Sequence, residues 1–241
     1  MELSQRSVGE IVAEDYRRAG VLKRYGIDFC CGGGRTLQAA CEKRGVPLGE
    51  IEQALALTDD RSGAATPARA ETWSPDFLAD YIVNVHHAYV RENIPVLRSF
   101  TEKVARVHGG THPETVEIAG LFDELATELG VHLEDEEGGL FPYVRDLVAA
   151  RREGREPERP TFGSIGASIE ELEREHEHAG ALLREIRRLS DDFTPPEHAC
   201  ATFRAAYAKL EEFEDDLHLH VHLENNVLFP KAAALEPAPA A

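Results

Sequence analysis

One eleven-residue pattern occurs twice in the chain, and it restricts the fold more than any other feature. Residues 132–142 read HLEDEEGGLFP, and residues 220–230 read HVHLENNVLFP. When the two copies are aligned on Leu-Phe-Pro, His132 matches His220 and Glu136 matches Glu224, so each copy contains an H-x-x-x-E pair. Residues four apart share one face of an α-helix, about 5–6 Å apart at Cβ, so each pair can bind one metal site. We expect the proline to end each helix, since it lacks an N–H group.

Apolar residues around both copies recur at intervals of three and four, which is typical of the buried face of a helix. The two series are Ile118, Phe122, Leu125, Leu129, His132, Glu136, Leu140 and Ala206, Leu210, Phe213, Leu217, His220, Glu224, Leu228. Each histidine and glutamate therefore occupies a position where leucines otherwise stand. Burying a carboxylate without compensation is costly, and metal coordination compensates it. The pattern favours an internal metal site.

Four long helical patterns follow Trp73 and predict an all-α chain with a C-terminal four-helix bundle. They span about 75–107, 113–136, 163–190 and 195–225, separated by connectors that contain glycine or proline. The first and third patterns each place one histidine inward. The stripes are Val83, His87, Val90, Ile94, Leu97 and Ile165, Ile169, Leu172, His176, Ala179, Leu183, Ile186. His86, His178, His218 and His222 fall outside the stripes.

The predicted metal ligands are therefore His87, His132, Glu136, His176, His220 and Glu224. Four imidazoles and two carboxylates suit a pair of first-row metals. Two bridging carboxylates and an oxo or hydroxo bridge would leave an open position for a small ligand. Ferritin-like bundles instead use E-x-x-H, and no such pair lies on these stripes, so the set favours a hemerythrin-like site. The alternative is a set of core histidines that form hydrogen bonds with their neighbours.

Glu128 and Glu175 are candidates for carboxylates that assist the metal ligands without binding the metal. Glu128 lies one turn before His132, and Glu175 directly precedes His176. Either carboxylate could orient a ligand or shuttle protons, and both could equally be solvated.

The N-terminal part of the chain predicts a small helical domain over residues 1–57. A polar, proline-containing linker follows at 58–71, the bundle spans 72–235, and 236–241 form a disordered tail. Residues 27–37, IDFCCGGGRTL, bring Cys30 and Cys31 close to a helix start and to Arg35. Two interpretations remain open: reactive thiols with a lowered pKa, or small thiols buried in a tight turn. Cys41 and Cys200 are expected to fill helix cores.

The charge of the chain limits its partners. Lys and Arg total 26 against 44 Asp and Glu, for a formal net charge of −18. This charge repels nucleic acid and anionic membranes, so we expect neither as a partner. No apolar run approaches the roughly 20 residues of a membrane span, and no signal peptide is visible. We therefore expect a cytoplasmic protein with reduced thiols, and a homodimer remains open.

Together, the DFCCGGGRTL segment and a bundle containing EREHEHAG and HLENNVLFP resemble the repair of iron centres (RIC) family of YtfE/ScdA-like di-iron proteins. The resemblance runs from about Ser7 to Lys231. It implies two iron ions on the same six ligands, an N-terminal cysteine domain with Cys30 and Cys31, and repair of iron–sulfur clusters damaged by oxidative or nitrosative stress. The extra histidines are a departure that confuses ligand assignment by motif alone.

Three functions follow from this resemblance. The first is repair by iron donation to iron–sulfur client proteins, with Cys30 and Cys31 contacting the client or passing iron. The second is an enzyme of the nitric oxide or nitrite reductase type, although the sequence shows no flavin or haem motif to supply electrons. The third is a module that binds nitric oxide or oxygen. The sequence does not decide whether the protein is an enzyme.

Overall fold

The computed structural model describes residues 2–59 and 70–236. Within these ranges the chain forms helices and a single isolated antiparallel bridge between Ser7 and Thr36, which confirms the all-α prediction. None of the described helices is both long enough and apolar enough to cross a membrane. The chain divides into two compact units, Met1–Leu78 with Leu219–Ala241, and Ala79–His218.

Four short helices build the N-terminal part of the first unit: α1 (Val8–Glu14), α2 (Ala19–Arg24), α3 (Leu37–Arg44) and α4 (Leu48–Asp59). Side-chain caps mark the starts of two of them. Ser7 and Glu10 form a capping box at α1, and the Thr36 hydroxyl accepts the N–H of Ala39 at α3. The helices enclose a core of fully buried aliphatic side chains, namely Val8, Ile11, Val12, Leu22, Leu37 and Ile51.

The predicted linker at 58–71 is only partly within the described residues. Helix α4 continues to Asp59, and residues 70–72 form a short 3₁₀ turn, so both ends of the predicted linker are helical. Residues 60–69 and the predicted tail from 237 onward lie outside the described residues. The first compact unit also contains residues 219–236, which the predicted domain boundaries had assigned to the bundle.

The remaining helices are α5 (Pro75–Tyr81), α6 (Ala88–His108), α7 (Glu114–Asp135), α8 (Phe141–Glu153), α9 (Ile165–Leu189), α10 (Ala201–Leu223) and α11 (Phe229–Ala233). In the second unit, rings from three of them join in one core. Phe213 of α10 packs edge-on against Phe122 of α7 at 5.6 Å between centroids, and near Tyr89 of α6 at 6.2 Å. His108, at the far end of α6, meets Phe203 near the start of α10, so these two helices run antiparallel.

Three π-helical segments interrupt the long helices: Ile82–His87, Glu136–Leu140 and Glu224–Leu228. Two of them end just before the Leu-Phe-Pro prolines, and α8 and α11 begin with Phe-Pro. The prediction that proline ends these helices was therefore wrong. The chain continues because the wider π turn precedes the proline, which then occupies the first turn of the next helix, where no N–H is required.

The π turn in Ile82–His87 also changes which residues of the first pattern are buried. An extra residue in the turn shifts the buried face. As a result His86 is buried together with His87, whereas Ile94 is only half-buried and its neighbour Asn93 is buried. The prediction that His86 lies to one side of the core was thus incomplete.

The glycine-rich loop of the first unit is held by a side chain from the π segment Glu224–Leu228. The Asn226 amide donates to the carbonyls of Phe29 and Cys30 at 3.4 and 3.3 Å. The same amide fills the space beside Gly9 and Gly33, whose backbone atoms also form a 2.8 Å hydrogen bond. Only glycine fits at both positions, because any Cβ there would collide with the Asn226 amide.

We predict that Gly33→Ala destabilises the protein by about 1–3 kcal/mol, the usual effect of overpacking. A Cβ at Gly33 would lie 2.6 Å from the backbone oxygen of Phe29, which cannot rotate away. The measurement is urea denaturation followed by far-UV circular dichroism. Gly34→Ala is the matched control, because a Cβ at Gly34 meets nothing within 4 Å. Equal stability of the two variants would show that the loop does not need this close approach.

Candidate metal centre

Three imidazoles converge on one carboxylate inside the second unit. Glu136 Oε2 lies 3.3 Å from His87 Nε2 and 3.5 Å from His132 Nε2. His132 Nε2 in turn lies 3.0 Å from His176 Nε2. All four side chains are buried, and the least buried, His132, is 5% exposed. Such a cluster of nitrogen and carboxylate donors is suited to a transition metal ion.

Two further carboxylates orient the imidazole rings. Glu175 Oε2 lies 2.7 Å from His132 Nδ1, and Glu137 Oε1 lies 2.7 Å from His87 Nδ1. Arg91 donates to the same oxygen of Glu137 at 2.7 Å. An ionised carboxylate only accepts hydrogen bonds, so each Nδ1 must carry the proton. The Nε2 lone pairs are then left facing the cluster, in the arrangement that metal-binding histidines commonly use.

Both orienting carboxylates are ionised near neutral pH. The hydrogen bond from His132 lowers the pKa of Glu175 and outweighs the effect of partial burial. Burial raises the pKa of Glu137, but hydrogen bonds from Arg91 and His87 more than offset this and leave it below its ordinary value. Each group is therefore a hydrogen-bond acceptor at neutral pH, as the assigned tautomers require.

The second predicted pair lies in the first unit and has the same local form. His220 Nε2 lies 2.9 Å from Glu224 Oε1, and both side chains are at most 1% exposed. A π segment begins at Glu224 just as one begins at Glu136. Both copies of the repeated sequence therefore have the same local structure: a buried imidazole is followed, four residues later, by a buried carboxylate at the first residue of a π turn.

Of the two carboxylates predicted to assist the metal ligands, only one contacts a predicted ligand in the structure. Glu175 contacts a predicted ligand, as described above. Glu128 does not: it is half-exposed and lies 3.3 Å from Nε2 of His178, so its predicted role beside His132 is not supported by a contact. Sequence reasoning missed Glu137, which stands next to Glu136 and falls outside the stripe. Glu137 lies in the π turn and contacts His87. A search for apolar periodicity at 3.6 residues gives no signal for this contact.

A cavity of about 500 Å³ lies between α7 and α9 and reaches His132 and His176. Its rim carries three carboxylates, Glu128, Glu171 and Glu175, along with Arg174 and His178. The cavity reaches the buried imidazoles, and its three carboxylates against one arginine suit an entering or leaving cation.

The structure tests the predictions for Cys30, Cys41 and Cys200. Cys30 is buried, and its hydrogen bond with Cys31, together with burial and the nearby Asp28 carboxylate, raises its pKa. For Cys30 the structure therefore favours the second interpretation, a small thiol buried in a tight turn. Cys41 is buried as predicted, whereas Cys200 is exposed rather than a core residue.

We predict that Glu175→Ala weakens metal binding by about 10–100-fold, the usual effect of losing a carboxylate that orients a metal-binding histidine. Glu175→Gln should have a smaller effect, because its amide oxygen still accepts the Nδ1–H of His132. The measurement is competition with a chelator, followed by metal analysis. Glu177→Ala, an exposed change on the same helix, is the control. If Glu175→Ala binds as tightly as this control, the orienting role is wrong.

Comparison with known proteins agrees with this architecture. A model described as ScdA_N, a domain of unknown function, matches residues 4–59, and a hemerythrin HHE cation-binding domain matches residues 78–232. The iron–sulfur cluster repair protein YtfE of Edwardsiella ictaluri is 37% identical over 235 residues, covering 96% of this chain and 98% of the relative. The corresponding protein of Musicola paradisiaca is 36% identical over the same shares of both chains. A probable iron–sulfur cluster repair protein of Haemophilus influenzae is 30% identical, again over 96% and 98%.

The matches cover both predicted parts of the chain, and the HHE model includes all of the predicted ligand positions. The donor set is also chemically suitable, since buried imidazoles with protonated Nδ1 atoms and buried carboxylates are the groups that bind first-row metal cations. The hemerythrin-like prediction is therefore confirmed, and the chain belongs to the family of iron–sulfur cluster repair proteins that join an ScdA_N domain to a hemerythrin HHE domain.

Proposed function

We propose that this protein holds two iron ions and repairs damaged iron–sulfur clusters by supplying iron. The proposed ligands are the buried residues His87, His132, Glu136, His176, His220 and Glu224. Glu136 and Glu224 would bridge the ions, together with an oxo or hydroxo group. The observation that carries the proposal is the repeated buried His–Glu pair at a π turn, inside a domain whose family binds cations.

The donor chemistry supports iron. Imidazole binds iron among other first-row metals, and carboxylates add the negative charge that a pair of cations needs. The orienting contacts of Glu137 and Glu175 fix two of the rings before any ion arrives. Preorganised ligands lose less freedom on binding, so affinity is gained without further contacts.

Supply of iron requires that the ion can leave the protein. Bound iron would furnish the metal that a damaged cluster has lost. The cavity beside His132 and His176 provides a path, and its rim of Glu128, Glu171 and Glu175 favours cations along it. In this account the histidines hold the ion, and the carboxylates of the rim lower the barrier to its passage through electrostatic attraction.

The proposal includes iron–sulfur proteins as partners and the cytoplasm as the place of action. The relatives' names point to cluster repair, and oxidative or nitrosative stress is the condition that damages such clusters. All four cysteines are thiols rather than disulfides, which fits a reducing compartment. Cys30 and Cys31 would contact the client or pass iron to it.

Reactivation of a damaged iron–sulfur enzyme tests this function. The iron-loaded protein should restore activity, whereas the apo protein and an equal amount of ferrous salt held by a chelator should not. If Cys30 and Cys31 assist transfer, changing both to Ala should slow recovery, and Cys200→Ala, at an exposed thiol, should not. Equal recovery with apo and iron-loaded protein would contradict iron supply.

The alternative function is capture or reduction of nitric oxide or oxygen at the same centre. The cavity favours it to the extent that a diatomic molecule can also enter through it. Catalytic consumption of nitric oxide with a chemical reductant would support an enzyme, and stable stoichiometric adducts would support a binding module. The names of the relatives favour repair instead.

A further inference from the structure

The Cys30–Cys31 loop is built around one carboxylate. Asp28 Oδ1 accepts the backbone N–H groups of Cys30, Cys31 and Gly32 at 3.1, 3.0 and 3.1 Å. The loop therefore curls around Asp28 and turns both thiols toward it. These three hydrogen bonds use the lone pairs of Oδ1, so a cation would bind Asp28 through its second oxygen, Oδ2.

The three side chains have the spacing of metal ligands. Cys30 Sγ lies 3.8 Å from Cys31 Sγ and 3.4 Å from Asp28 Oδ1. The second distance is that of a thiol hydrogen bond, whereas the first is that of two ligands: a tetrahedral ion with metal–sulfur bonds of about 2.3 Å separates two sulfurs by about 3.8 Å. The ligand atoms of all three residues lie within 4.8 Å of one another.

We propose that Asp28, Cys30 and Cys31 form a second metal site, separate from the histidine–glutamate centre. Two thiolates and one carboxylate bind a single divalent ion of the kind that accepts sulfur ligands, such as ferrous iron or zinc. Cys30 is buried, while Asp28 and Cys31 are half-exposed, so the fourth position faces solvent. Water or a side chain of a partner protein completes the coordination there.

The position of this loop suggests its use. His222 and Asn226, one helical turn apart, lie against Phe29 and the loop, through a ring contact at 5.9 Å and through the Asn226 hydrogen bonds. Glu224 lies between them in sequence, and residues two apart on a helix point to different faces. The thiol site and the Glu224 carboxylate are thus on different sides of one helix, whose diameter with side chains is about 10–12 Å.

A thiol site beside the helix that carries Glu224 can hold iron and present it to a client. This use rests on the proposed function, whereas metal binding by the loop does not. The two claims therefore fail separately: the loop can bind a metal in a protein that repairs nothing, and repair can proceed without the loop.

Cobalt titration of the full-length, iron-loaded protein under reducing, anaerobic conditions tests the site. Wild type should develop thiolate-to-cobalt charge-transfer absorption in the near ultraviolet that saturates at one cobalt per chain. Cys30→Ser combined with Cys31→Ser should abolish this absorption, and Asp28→Asn should shift its midpoint to higher cobalt concentration. Ligands of the bundle carry no sulfur and cannot produce the band.

Cys200→Ser is the matched control, because it removes an exposed thiol outside the loop and should leave the absorption unchanged. Circular dichroism and iron content identify any variant that has lost its fold. Absence of the band in wild type would overturn the proposal and leave a capped turn with two thiols. Persistence of the band in the double serine variant would overturn it too, because the sulfur ligands would then lie elsewhere.

Discussion

A fully buried carboxylate among imidazoles is the constraint on which the rest of the structure depends. Glu136 has no exposed surface, and two ring nitrogens lie within 3.5 Å of it. An ionised carboxylate in an apolar core is costly unless cations or hydrogen bonds compensate it. Glu137 and Glu175 hold the Nδ1 protons of His87 and His132, so the Nε2 lone pairs of these rings face Glu136 and do not donate to it. A metal cation bound between the lone pairs and the carboxylate would supply the compensation.

The π turns also position residues around the site. A regular helix places residues 136 and 137 about 100° apart around its axis. In this protein Glu136 approaches one nitrogen of His87 and Glu137 the other. The wider turn at Glu136–Leu140 accompanies this arrangement, and the corresponding turn at Glu224–Leu228 carries Asn226, which anchors the cysteine loop. Both copies of the repeated pattern thus combine a buried pair with an irregular turn.

The sequence allowed the helices and most of the buried face to be predicted, because apolar spacing reports burial directly. The stripes containing His132 and His220 are buried at every predicted position. Features that depend on a changed helical period were missed. A π turn shifts the buried face of its helix, so Glu137 and the burial of His86 gave no signal at a period of 3.6 residues. The contact of Asn226 with Cys30 joins residues 196 positions apart, and no local pattern reports it.

The central claim is that the buried histidines and glutamates hold two iron ions. Iron analysis combined with Mössbauer spectroscopy, on wild type and on Glu136→Ala with Glu224→Ala, tests it most directly. We expect two irons per chain with the spectrum of a bridged pair in wild type, and loss of that pair in the double variant, whose helices should persist by circular dichroism. One iron or less in wild type, or two irons retained in the double variant, would contradict the account.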